Sequence, residues 1–174
     1  MTFALEREMT PIVTAWLREQ GMLVLPEICL DGACDLVGCS LNDEMVNRRL
    51  CRRKDWRPLH QRLIGVELKL DRIGEVFRQA QWNRHHVEES WAALPLEMTR
   101  HITRKDIWGF RICGIGLLGV SRHGCQIVRP AEPTDATEAH IAHQVEKFWR
   151  ARKRLAAMSA RQGARAELVT EGRG

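Results

Sequence analysis

Apolar residues near the start of the chain fall at Leu5, Met9, Ile12, Val13, Trp16 and Leu17, a helical spacing with one apolar face over Leu5–Gln20. Thr10-Pro11 marks either the true start of this helix or a kink near it, because proline suits only a first turn. Gly21 is a natural stop. Two short apolar runs, Val24–Leu30 and Ala33–Cys39, flank Asp31-Gly32 and predict a β-hairpin, with Pro26 placing its first strand on a sheet edge. Asn42–Arg62 breaks the pattern and reads as an exposed insertion with a helical stretch over Glu44–Lys54. Leu63–Leu70 is the clearest strand: Ile64, Val66, Leu68 and Leu70 point one way, and Gly65, Glu67 and Lys69 the other. A helix over Ile73–Glu89, a strand over Trp91–Leu96 and a helix over Thr103–Ile112 follow, the last with Thr103 or Asp106 near its cap. A strand over Ile115–Val120 then turns at Arg122-His123-Gly124 and returns as Cys125–Val128. Beyond a linker at Pro130–Pro133, Thr137–Arg161 reads as one long helix that frays from Gly163 onward.

Three strands precede the first crossover helix, which disfavours a simple alternating doubly wound sheet. The expected fold is α/β, a small mixed sheet flanked by helices. At 174 residues the chain suits one domain, and a hydrophobic fraction of 44% excludes a disordered one. The division expected is a domain over residues 1–130, with the basic insertion at 42–62, and a basic C-terminal helix and tail over 131–174. No apolar run approaches a membrane span, and MTFALEREMT lacks the basic start of a signal peptide, so a cytoplasmic protein without a membrane partner is expected. Reduced cysteines follow from that, and no CxxC pair supports a zinc ribbon. Most cysteines should be small buried hydrophobes; an iron–sulfur site from Cys29, Cys34, Cys39 and Cys51 is the alternative.

The net charge is +5 and the pI about 9.1, which suits a polyanionic partner or solubility alone. The distribution says more. Arg48, Arg49, Arg52, Arg53, Lys54 and Arg57 crowd the insertion, and Lys147–Arg165 holds cations without an acid. Either patch can contact a phosphate backbone, with Trp56 available for stacking, or can be a solvated face.

Glu67 and Lys69 share a face of an otherwise aliphatic strand, a costly arrangement unless they are solvated, paired or metal-bound. Asp35 lies inside the second hairpin strand, which can run beside Leu63–Leu70 and bring Asp35 opposite Glu67. Two adjacent carboxylates repel, and Mg2+ suits such hard oxygen ligands. Such an ion activates water and stabilises charge on a phosphate oxygen, and Lys69 can orient that water or steady the charge.

Asp35, then Glu67-Leu68-Lys69, then a helix carrying Gln79-Ala80 resembles the PD-(D/E)XK nuclease superfamily, as do the element order and Cys34-Asp35-Leu36-Val37-Gly38. The resemblance covers roughly residues 5 to 120. It implies a restriction-endonuclease-like core and a DNA nuclease using Mg2+ or Mn2+, held by Asp35, Glu67 and the Leu68 carbonyl. It also implies Lys69 as the catalytic lysine, Gln79 near the site or the DNA, and a further glutamate from the first helix, Glu6 in preference to Glu8. A homodimer is compatible with it. The alternatives are a binding protein of the same fold without catalysis, and a small interaction protein of a phage or mobile element. His85-His86 and the His140/His143 pair read as surface residues, and Trp16, Trp82, Trp91, Trp108 and Trp149 as core.

Overall fold

The structure is a computed structural model, and it describes residues 3–31, 33–40 and 62–171. Six strands, β1 (Met22–Cys29), β2 (Ala33–Ser40), β3 (Leu63–Leu68), β4 (Glu89–Pro95), β5 (Gly116–Ser121) and β6 (Gly124–Arg129), lie side by side in chain order. The hairpin β1–β2 and the pair β2–β3 are antiparallel, β3–β4 and β4–β5 are parallel, and β5–β6 is antiparallel. The parallel steps need crossovers. They are supplied by α2 (Ile73–Asn83) and by α3 (Arg104–Ile112) after a single helical turn at Leu96–Thr99. The remaining helices are α1 (Thr10–Glu19) and α4 (Glu138–Glu171). The chain is therefore α/β, with a mixed sheet flanked by helices.

Alternation along the strands divides the core. Leu36, Ile64, Val66, Leu68 and Ala93 meet Met9, Val13 and Leu17 of α1 and its approach, with Trp16 edge-on to Trp91. On the other face Val37 and Leu63 pack with Ile141, Val145 and Phe148 of α4, while Ala92, Leu94 and Leu117 pack with Val76, Ala80 and Phe110. The first turns of α4 thus belong to the core. Burying each such aliphatic side chain contributes about 1.5–3 kcal/mol. All six residues of β3 are buried, because helices cover both faces of this central strand. Among the described residues no helix is long and apolar enough to cross a membrane.

Several boundaries differ from the sequence reading. The first helix begins at Thr10 with Pro11 in its first turn, after a separate 3-10 turn at Glu6–Glu8. It ends at Glu19, and Gly21 just beyond takes a φ of +74° that glycine adopts without a Cβ clash. Strand β3 stops at Leu68, because the Asp35 carboxylate takes the Leu68 N–H that a ladder would use. Helix α2 stops at Asn83, six residues early, and Glu89 belongs to β4. No glycine or proline marks that stop; the turn is held instead by Arg84, whose guanidinium donates to the carbonyls of Gly114 and Glu132. Helix α4 continues through Gly163 to Glu171, where fraying was expected. Trp82 and Trp108 are 58% and 62% exposed and are not core residues. The helix expected over 44–54 lies outside the described residues.

Candidate active site

The β2–β3 ladder ends at the pair Leu36–Val66, and one further step of that register sets Asp35 opposite Glu67. Asp35 is not in the ladder. Its Oδ2 accepts the Leu68 N–H at 2.7 Å. On its other side, β1 pairs Pro26 with Leu36 and Ile28 with Cys34, and Glu27 between them has a φ of +50°. A non-glycine residue in that region costs of order 1–3 kcal/mol, and such strain gathers at functional positions. The kink at Glu27 lies across from Asp35, whose side chain turns to the β3 backbone.

Glu67 is 2% exposed. Burial pushes its carboxyl up to about 8, and the Asp35 charge and a direct hydrogen bond between the two carboxyls add to the rise. The Asn83 amide and the Lys69 ammonium oppose it. Asn83 donates from Nδ2 to Glu67 Oε1 at 2.5 Å and is itself 2% exposed. Lys69 follows β3 directly; its N–H donates to Ala93 O at 3.1 Å, and its Nζ stands 3.3 Å from Glu6 Oε2. The 3-10 turn thus brings Glu6 to the site, whereas Glu8 accepts the N–H of Ala4. Because the Lys69 N–H faces β4, strand geometry turns the Leu68 carbonyl the opposite way, past the end of the β2 ladder. Gln79 stands one turn before Asn83 on α2, and its Oε1 is buried without a hydrogen-bond partner.

The structure therefore brings together Asp35, Glu67, Leu68, Lys69 and Glu6, and sets Gln79 on the helix beside them. It adds Asn83, which sequence reasoning missed. The signal was present: Val76, Ala80 and Asn83 fall at helical spacing on the buried face of α2, and the last of them is polar. Among the described residues no three His, Cys, Asp or Glu side chains gather at one point as a metal site. Mg2+ asks for less, since it commonly uses one or two carboxylates and keeps several waters. Two carboxylates at facing positions of neighbouring strands, one with a raised pKa, are a donor set that fits such an ion.

Arg48, Arg49, Arg52, Arg53, Lys54 and Arg57, with Cys51 and Trp56, lie outside the described residues. Arg62 holds Glu89 through two hydrogen bonds of 2.8 and 2.6 Å. On α4, Lys147 pairs with Asp31, Arg150 pairs with Glu146, and Arg152 lies 4.9 Å from the Trp149 ring. Part of that basic stretch thus serves the fold. Cys34 and Cys39 are buried, whereas Cys29 is exposed. His85 and His143 are exposed, but His86 is buried against His140, contrary to the surface position expected.

The chain is similar in fold to a Silicibacter pomeroyi protein of unknown function, with a TM-score of 0.63 and 17% identity over 94% of this chain and 97% of that one. No protein-family model matches the chain, nor does any curated protein.

Proposed function

We propose that this protein is a metal-dependent DNA nuclease of the restriction-endonuclease-like, PD-(D/E)XK kind, working in the cytoplasm. The observation that carries the proposal is the meeting of Asp35 and Glu67 at the carboxyl end of β3, with Lys69 beside them. Buried like charges are expensive and conformational stability gains nothing from pairing them. Ligands of open α/β sheets commonly bind at the carboxyl ends of the strands, where this pair sits.

Asp35, Glu67 and the Leu68 carbonyl would hold Mg2+ or Mn2+, and the bound ion would supply an activated water and offset charge on a phosphate oxygen. The protein's own groups have separable tasks. The Leu68 N–H fixes one Asp35 oxygen, and Asn83 fixes one Glu67 oxygen, so both carboxylates are oriented in advance. Lys69 keeps its ammonium at the rim, leaning on Glu6, where it can orient water or hold the charge that develops on phosphate. Gln79 Oε1 is ready to accept a hydrogen bond from water or substrate. DNA is the proposed substrate because the insertion at residues 42–62, which precedes β3 in the sequence, carries a cluster of arginines.

The test is cleavage of supercoiled, linear, single-stranded and branched DNA with Mg2+ or Mn2+, wild type beside Glu67→Ala. Metal-dependent cleavage that the substitution abolishes supports the proposal. Cleavage that persists in the variant refutes the site. Salt-sensitive binding without cleavage of any form favours a binding protein of the same fold.

A further inference from the structure

A second polar cluster lies where α4 packs on the turn after α2. His86 Nδ1 stands 3.4 Å from His140 Nε2, with the ring centroids 5.5 Å apart and the planes tilted by 38°. Ordinary hydrogen bonding does not account for this. The separation is long for a hydrogen bond. Gln144 Nε2 also stands 3.1 Å from the same His140 nitrogen, and one imidazole nitrogen offers one lone pair or one proton, not two. His86 is 8% exposed and its Nε2 has no partner; Gln144 is fully buried and its Oε1 has none. Buried polar groups are normally satisfied.

The spacing suits another partner. Two nitrogens bound to one tetrahedral cation at about 2.0–2.1 Å lie roughly 3.4 Å from each other. The neighbouring cations are already engaged, Lys147 by Asp31 and Arg84 by backbone carbonyls. A cavity of about 430 Å3, lined in part by His85, Asp135 and His140, brings solvent to the His140 side of the pair.

We propose that His86 and His140 form a two-imidazole site for a transition cation of the Zn2+ class, which pins α4 to the turn after α2. Since no three His, Cys, Asp or Glu side chains converge among the described residues, water from the cavity completes the coordination. The site is separate from Asp35 and Glu67 and does not depend on nuclease activity.

The test titrates Zn2+ into untagged, chelator-treated protein, followed by calorimetry and thermal unfolding. Wild type is expected to bind Zn2+ and to gain about 5–10 °C in Tm at a hundred-fold excess over Kd. His140→Ala should lose that gain, whereas His143→Ala, altered at an exposed histidine of the same helix, and Glu67→Ala should keep it. If His140→Ala does not fold, His140→Gln of matched metal-free Tm takes its place. A wild type without a Zn2+ response, or a response that survives the loss of His140, overturns the proposal.

Discussion

Without metal, Glu67 should make the protein less stable as the pH rises, and Glu67→Gln should remove that dependence. Its carboxyl lies at about 8 in the folded chain against an ordinary value of 4.5, mainly through burial and then through Asp35. Folding therefore takes up a proton between those two values. The resulting stability is fully present below about pH 4.5 and is lost as the pH rises through 8. Each pH unit inside the window removes about 1.4 kcal/mol. Raising the pH from 5.5 to 8 should then cost up to about 3 kcal/mol. His86, with its pKa lowered, acts in the opposite sense, since its contribution is present above the usual imidazole range and is lost on acidification. The difference between wild type and Glu67→Gln cancels that effect. The assay is urea unfolding in a chelating buffer at pH 5.5, 7 and 8. Glu67→Gln should gain on wild type by about 3 kcal/mol across the series, and saturating Mg2+ should flatten the wild-type profile. Parallel profiles, within about 0.5 kcal/mol, would refute the reasoning that Glu67 is buried beside a second carboxylate.

Three further outcomes are expected. Asn83→Ala removes the amide that fixes Glu67 Oε1, and should cost about 1–3 kcal/mol in urea unfolding and weaken Mn2+ binding measured by calorimetry. Lys69→Met should reduce any metal-dependent DNA cleavage by about 100-fold or more while leaving the Mn2+ affinity within a few-fold, and Glu6→Gln should have a milder effect than Lys69→Met on the same assay. Gly116→Ala would set a Cβ 2.3 Å from the buried Trp91 ring, and should lower stability by about 1–3 kcal/mol in thermal unfolding, with the Trp91 environment shifted in near-UV circular dichroism.

Much of the architecture is legible in the pattern of apolar positions. The Asp31-Gly32 hairpin, the aliphatic β3 and the Thr103 cap each carry a local cause, so each can be read without tertiary information. The stop of α2 at Asn83 and of β3 at Leu68 cannot, because both are set by side chains reaching across the fold, Arg84 to distant carbonyls and Asp35 to Leu68. The same holds within the candidate site. Asp35, Glu67 and Lys69 are visible as charges in apolar surroundings, but the preference for Glu6 over Glu8 is decided by which of the two reaches Lys69. His86 reads as a surface residue because its burial comes from α4, more than 50 residues later in the chain.

The most direct measurement is a calorimetric titration of Mn2+ into wild type, Asp35→Asn and Glu67→Gln, with Glu8→Gln as a control. If Asp35 and Glu67 together hold one divalent ion, wild type and Glu8→Gln should bind one equivalent, and either site substitution alone should weaken that binding by about ten-fold or more. Equal binding by all four proteins would contradict the assignment of these two carboxylates as metal ligands.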